Sequence, residues 1–183
     1  EQGLSVLVTA LTNRALMEVA SKDGLKELLE SGKIFKTKMS VDEAKELPRL
    51  QNIKQLTPEK GKLILSTFYI TSGEANNVVG IPPFDIVVMD EASQALLAMF
   101  AATKLLGKKT IFVGDPNQLS PVVALNSDRI TRRNYHFYVN GLLSINALEV
   151  IPSYSLTYTY RLTPRAASFT GLFYNNILKS NQD

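Results

Sequence analysis

Short, mostly apolar runs alternate along the chain with stretches of helical spacing. Val6-Leu7-Val8, Leu63-Ile64-Leu65, Ile86-Val87-Val88-Met89 and Thr110-Ile111-Phe112-Val113 are the main runs. Each has strand length and little polar alternation, the pattern of a strand covered on both faces. In 14–29, Ala15, Leu16, Val19, Leu25, Leu28 and Leu29 are spaced as on a helix, with a break expected at Gly24. Residues 33–38 read as a further short strand. Ser40 with Glu43 makes a capping-box pair, opening a helix that Pro48 should end. Residues 50–61 are polar and loop-like, and Pro82-Pro83 closes another loop. The Ala-rich 92–106 reads as helix, Gly107-Lys108-Lys109 as a turn and 126–140 as a loop. A helix is expected over 142–148, β-structure over 154–160, and a last helical stretch from Pro164. Strands alternating with helices predict an α/β fold whose sheet is mostly parallel.

Composition narrows this little. The 183 residues are 45% hydrophobic and 20% charged, enough for a domain with a sizeable core. A net charge of +3 names no partner, so nucleic-acid binding has to be argued from local residues. The absence of cysteine excludes disulfides and thiolate metal sites and fits a cytoplasmic setting. No apolar run reaches the length that spans a bilayer, and no signal segment opens the chain. Residue 1 is Glu, and periodic apolar sequence starts almost at once, as expected of a piece of a longer protein.

The chemistry gathers where strands end. In open parallel sheets, ligands lie beyond the carboxyl ends of the strands. Three runs end there in polar residues: 9–13, 90–94 and 114–118. In Asp90-Glu91, the first carboxylate can hold Mg²⁺ and the second can polarise an attacking water. Taken alone, the pair also suits a solvated strand end capping the next helix. In Gly114-Asp115-Pro116-Asn117-Gln118, the glutamine can bond a γ-phosphate or its attacking water, and Asp-Pro-Asn alone is also turn chemistry. Thr12 and Asn13 sit between an apolar strand and a helix, where they can cap the helix, contact phosphate, or do both. Arg129, Arg132 and Arg133 beside Tyr135, Phe137 and Tyr138 suit either a stacking platform for single strands or a solvated loop. His136 has no partner nearby in sequence and is assigned no role.

Taken together, the runs resemble superfamily 1 helicases, closest in appearance to the nonsense-mediated-decay helicases and their bacterial relatives. Asp90-Glu91-Ala92-Ser93-Gln94 resembles motif II, the Walker B element. Residues 114–121 resemble motif III, Gly-Asp-x-x-Gln-Leu-x-Pro. Thr159-Tyr160-Arg161-Leu162-x-Pro164, with Phe169 and Phe173-Tyr174, resembles the tyrosine–arginine motif at the hinge to a second motor domain. Residues 9–15 resemble motif Ia, and Thr67 falls where motif Ib lies. The resemblance runs from about Val6 to Leu178 and is weakest over 30–60. Three motifs in order are specific where one would not be.

The resemblance implies a P-loop NTPase of RecA-like three-layer αβα fold, with 1–162 as part of the first motor domain. Residues 163–183 would begin the segment leading to the second. It further implies an ATP- and Mg²⁺-dependent helicase or translocase on single-stranded DNA or RNA, moving 5′ to 3′. Asp90 would hold Mg²⁺, Glu91 would act as general base and Gln118 would sense the γ-phosphate. Arg161 would contact that phosphate from the hinge, and Tyr160 would stack on adenine. Thr12, Asn13 and Thr67 would touch the strand's backbone.

The sequence departs from the family at one point. None of Gly32-Lys33, Gly61-Lys62 or Gly107-Lys108 completes Gly-x-x-x-x-Gly-Lys-Ser/Thr. The phosphate loop is therefore expected before residue 1, and the sheet is expected to lack its Walker A strand. That would leave a gap or an unpaired edge open to self-association. Two rival readings remain: a non-catalytic nucleic-acid-binding remnant, and an unrelated Mg²⁺ hydrolase using Asp90, Glu91 and Asp115.

Overall fold

The computed structural model describes residues 3–124, 126–149 and 151–182. It divides into two compact units, Glu1–Ser144 and Ile145–Asp183.

The first unit is built on β1 (Val6–Ala10), which enters α1 (Asn13–Ala20). A 3₁₀ turn and α2 (Lys26–Glu30) follow, then β2 (Ile34–Thr37), α3 (Val41–Glu46) and β3 (Gln51–Ile53). Next come β4 (Leu63–Thr67), α4 (Phe68–Ala75), β5 (Phe84–Met89), α5 (Leu97–Leu106) and β6 (Gly107–Phe112). The six strands form one sheet in the order β3-β2-β4-β1-β5-β6, and every ladder in it is parallel.

Side chains alternate across this sheet into two cores. Val8 on β1 joins Leu63 and Leu65 on β4 against Leu16, Met17 and Ala20 of α1. Leu7 and Ile64 face the other way, against Ala75 of α4 and Ala102 and Leu106 of α5. The apolar runs lack polar alternation because helices cover both faces. This is the expected RecA-like three-layer α/β arrangement.

At the amino edge, one carboxylate ties three strands. Asp85 Oδ2 accepts from the Ser5 amide and hydroxyl, each at 2.9 Å, and Oδ1 accepts from Lys108 Nζ at 2.8 Å. The Lys108 bond and the two from Ser5 hold the Asp85 carboxyl well below the usual carboxylate range.

Several local expectations are met. The Ser40–Glu43 capping box is formed, and α3 stops at Leu47, whose backbone at φ −127° and ψ 81° is outside the helical region, as suits the residue before Pro48. Others are corrected. The helix expected over 14–29 breaks at Ser21, whose hydroxyl bonds the Glu18 carbonyl, three residues before Gly24. Gln51–Ile53 is an edge strand inside the expected loop. The helix expected over 92–106 is a 3₁₀ turn followed by α5, and Gly107-Lys108-Lys109 belongs to β6 rather than to a turn. The loop expected over 126–140 contains α6 (Ser127–Arg132) and α7 (His136–Val139). Then α8 (Gly141–Ala147) follows close to its expected place. The sheet has no internal gap among the described residues; its two edges are β3 and β6, and on β6 Lys108, Lys109 and Ile111 are exposed.

In the second unit, β7 (Tyr158–Thr159) pairs in parallel with β8 (Lys179–Ser180) around α9 (Pro164–Gly171). Only two residues of the expected 154–160 β-stretch are strand. Thr163 caps α9 through the Ala166 amide, with Pro164 at the first helical position.

Candidate functional site at the carboxyl edge of the sheet

Because all six strands are parallel, their carboxyl ends share one edge. The neighbours β4, β1, β5 and β6 set side by side Thr67 at the end of β4 and the segments that follow the other three, Leu11-Thr12-Asn13, Asp90-Glu91 and 113–120.

The centre of this row is held by backbone. The Asp90 amide donates to the Thr9 carbonyl at 2.8 Å, and the Val113 amide to the Met89 carbonyl at 2.8 Å. The Ala92 amide donates to the Val113 carbonyl at 2.8 Å, so the chain after β5 folds back onto the end of β6. That turn requires Glu91 to adopt φ +52° and ψ +39°, the left-handed region. A non-glycine residue is disfavoured there by about 1–2 kcal/mol. Strain held at an exposed carboxylate beside a strand end is the kind that clusters at functional sites. Asp90 Oδ1 accepts from the Glu91 amide at 3.0 Å, which orients the first carboxylate.

Gly114 allows the two segments to meet. A Cβ there would lie 2.8 Å from the Ser93 amide nitrogen and 3.1 Å from that of Ala92. Beyond it, Asp115 Oδ1 accepts from the Asn117 amide at 2.9 Å, an Asx turn that presents Gln118 in the exposed loop. Gln94 Nε2 donates to the Leu119 carbonyl at 3.1 Å and ties the motif III-like loop to the segment after β5. Gln94 was quoted in the sequence as part of a motif; its cross-loop bond is visible only in the fold.

Thr12 and Asn13 are both exposed, and both already have local duties. Thr12 Oγ1 accepts from the Ala15 amide at 3.1 Å as the N-cap of α1. Asn13 Oδ1 accepts from Lys36 Nζ at 3.0 Å. Arg14, beside them, lies between Glu46 at 3.1 Å and Glu18 at 3.5 Å. Thr67 precedes α4 without a side-chain capping bond. Behind these loops runs a band of buried hydroxyls: Thr37 donates to Ser66 Oγ at 3.0 Å, and Thr9 and Thr71 lie 2.9 Å apart. No pattern in the sequence marks this band, because threonine and serine are ordinary residues in strands.

Lys36 also escaped the sequence reading. It is fully buried on β2 and forms an ion pair with Glu43 of α3 at 3.1 Å. Burial alone would raise the Glu43 carboxyl, but bonds from the Ser40 amide and Lys36, with the lysine's charge, hold it below its ordinary value.

Among the described residues, no three of His, Cys, Asp and Glu gather into a metal cage. Mg²⁺ needs none, since it is commonly held by one or two carboxylates together with water and phosphate oxygens. Asp90, partly exposed at a strand end, suits that role. Tyr160 and Arg161 lie in the second unit, both exposed, where Gln182 Nε2 donates to the Tyr160 carbonyl at 2.6 Å.

Comparison with known proteins matches residues 36–125 to a family model described as an AAA domain. The chain is 34% identical over 113 residues to Helicase SEN1 of Saccharomyces cerevisiae, covering 59% of the chain and 5% of that protein. It is 28% identical over 100 residues to the Uncharacterized ATP-dependent helicase MJ0104 of Methanocaldococcus jannaschii, covering 54% of the chain and 14% of that protein. The chain thus spans a small part of the length of either relative. The family match includes Thr67, Asp90, Glu91 and Gln118, and leaves Thr12, Asn13, Tyr160 and Arg161 outside it.

Proposed function

We propose that this chain, whose RecA-like fold and similarity to helicases point to a superfamily 1 helicase-type domain, is part of an ATP-driven motor moving 5′ to 3′ on single-stranded DNA or RNA. The observation that supports this best is the junction of two segments at one sheet edge. Asp90-Glu91 follows β5, the loop bearing Gln118 follows β6, and backbone bonds plus the Gln94–Leu119 bond hold them together.

In this reading, Asp90 holds Mg²⁺, which supplies charge neutralisation at the phosphates of ATP. Glu91 takes a proton from the attacking water. Gln118 senses the γ-phosphate, and its loop passes that state to the nucleic-acid track. By the resemblance of its tyrosine–arginine motif, Arg161 would contact the γ-phosphate and Tyr160 would stack on adenine. Thr12, Asn13 and Thr67 contact the sugar-phosphate backbone. The strand's phosphates accept from such hydroxyl and amide donors without reporting base identity. The motor works in the cytoplasm, and the unpaired β6 edge offers a route to self-association, which its exposed lysines oppose.

Direction is tested in the full-length protein with streptavidin bound at one end of a single strand. ATP-dependent displacement from the 3′ end and not the 5′ end is expected. Displacement from the 5′ end alone would reverse the polarity.

A further inference from the structure

The side chain buried most unexpectedly is a lysine. Lys36 has no solvent exposure, and its three N–H donors meet three acceptors. These are Asn13 Oδ1 at 3.0 Å, Glu43 Oε2 at 3.1 Å and the Thr37 carbonyl at 3.4 Å. Glu43 Oε2 also accepts from the Ser40 amide at 2.7 Å. A continuous chain of bonds thus runs from the capping box of α3, through a buried ammonium, to the first residue of α1.

That chain has a directional consequence. An ammonium carries donors and no lone pair, so it can face only the oxygen of the Asn13 amide. The Nδ2 end is then turned away from Lys36, and it has no hydrogen-bond partner among the described residues. A free asparagine can flip and offer either end. An outward oxygen would repel a phosphate, whereas an outward NH₂ donates to it.

We infer that Lys36 is a positioning residue for single-strand binding: it holds the Asn13 amide oxygen inward, so that Nδ2 faces outward as a donor to a backbone phosphate. This rests on the reading of Thr12 and Asn13 as strand contacts. It also gives a role to the segment around 36–46, to which no helicase motif was assigned. Lys36 itself touches no strand; it acts through Asn13.

The test uses the full-length protein, fluorescein-labelled oligo(dT) and oligo(U), anisotropy titrations, and thermal melts of each variant. Asn13→Asp is the most telling substitution. It offers Lys36 a carboxylate and suits the start of a helix, so the melt should match or exceed wild type. Its outward atom becomes an anionic acceptor, so affinity should fall at least as far as in Asn13→Ala. That fall should be roughly tenfold or more, the scale of one hydrogen bond to a charged group. Lys36→Met should weaken binding in the Asn13 background and produce no further loss on top of Asn13→Ala.

Wild-type affinity in Asn13→Asp would overturn the inference, as would a Lys36→Met loss of equal size in both backgrounds. If Asn13→Ala leaves affinity unchanged, the strand-contact reading of this loop fails, and the role of Lys36 fails with it. Should Lys36→Met not fold, Asn13→Asp decides alone.

Discussion

Glu91→Gln in the full-length protein should lower ATP turnover by about 10²–10⁴, the usual range for removing a general base. Nucleotide affinity should stay close to wild type. In the proposed mechanism the carboxylate acts on the attacking water in the transition state and contributes little to ground-state binding. Glutamine keeps the length and shape of the side chain, so the left-handed turn at Glu91 and its link to Val113 should survive. Glu91→Gly supplies a useful contrast. Glycine adopts positive φ freely, so this variant should lose turnover while gaining up to about 1 kcal/mol of stability. Stopped-flow nucleotide binding, steady-state phosphate release and thermal melts on the same preparations separate these effects. A parallel loss of nucleotide affinity in Glu91→Gln would make Glu91 a binding or structural residue instead.

Glu43→Ala should be strongly destabilising, costing roughly 3–5 kcal/mol, the range for breaking a buried ion pair. The lower end is expected, because the Glu43 side chain keeps 14% exposure while Lys36 has none. The cost arises from what remains: a buried ammonium with only the Asn13 and Thr37 oxygens. Removing both charges, as in Lys36→Met with Glu43→Gln, should be less harmful than Glu43→Ala alone. The pair also sets a pH dependence. The Glu43 carboxyl is held below its ordinary value. Its contribution is therefore fully present above the unfolded value of about 4.3 and is lost as pH falls through the lowered folded value. Urea unfolding between neutral and acid pH measures this. Stability should fall below about pH 4 in wild type and less steeply in the double variant. A cost under about 1 kcal/mol for Glu43→Ala would place the pair among ordinary surface ion pairs.

Much of the fold was legible because burial on both faces leaves a simple mark. β1, β4 and β5 are almost wholly apolar, and each was read as a strand. The Ser40–Glu43 box and Pro48 bounded α3 by chemistry that acts within a few residues. The misses have physical causes. β6 begins with Gly107-Lys108-Lys109, which reads as a turn. Gly107 is there because a Cβ would lie 2.7 Å from Val87 Cγ2, and the lysines lie on an unpaired edge. α4 was not expected, because Ile70, Thr71 and Gly73 are poor helix formers and its apolar residues follow no helical stripe.

At the candidate site, the residues that end strands were legible and those that brace them were not. Asp90, Glu91 and Gln118 follow apolar runs, so position alone drew attention to them. Lys36 looks like any strand lysine; its burial depends on Glu43, whose visible signal was a helix cap. Asn13 stands where a helix cap, a phosphate contact or both are expected, yet one end of its amide faces inward to a residue 23 positions away. Such partners come together only through the crossover from β1 to β2.

The proposed coupling of a single strand to ATP turnover is tested most directly by steady-state phosphate release in the full-length protein, with and without saturating oligo(dT) or oligo(U), in the presence of Mg²⁺. Turnover stimulated by at least one of the two strands, and abolished by Glu91→Gln, is the expected result. Tight strand binding with no turnover above background under either condition would contradict the claim and leave a nucleic-acid-binding scaffold.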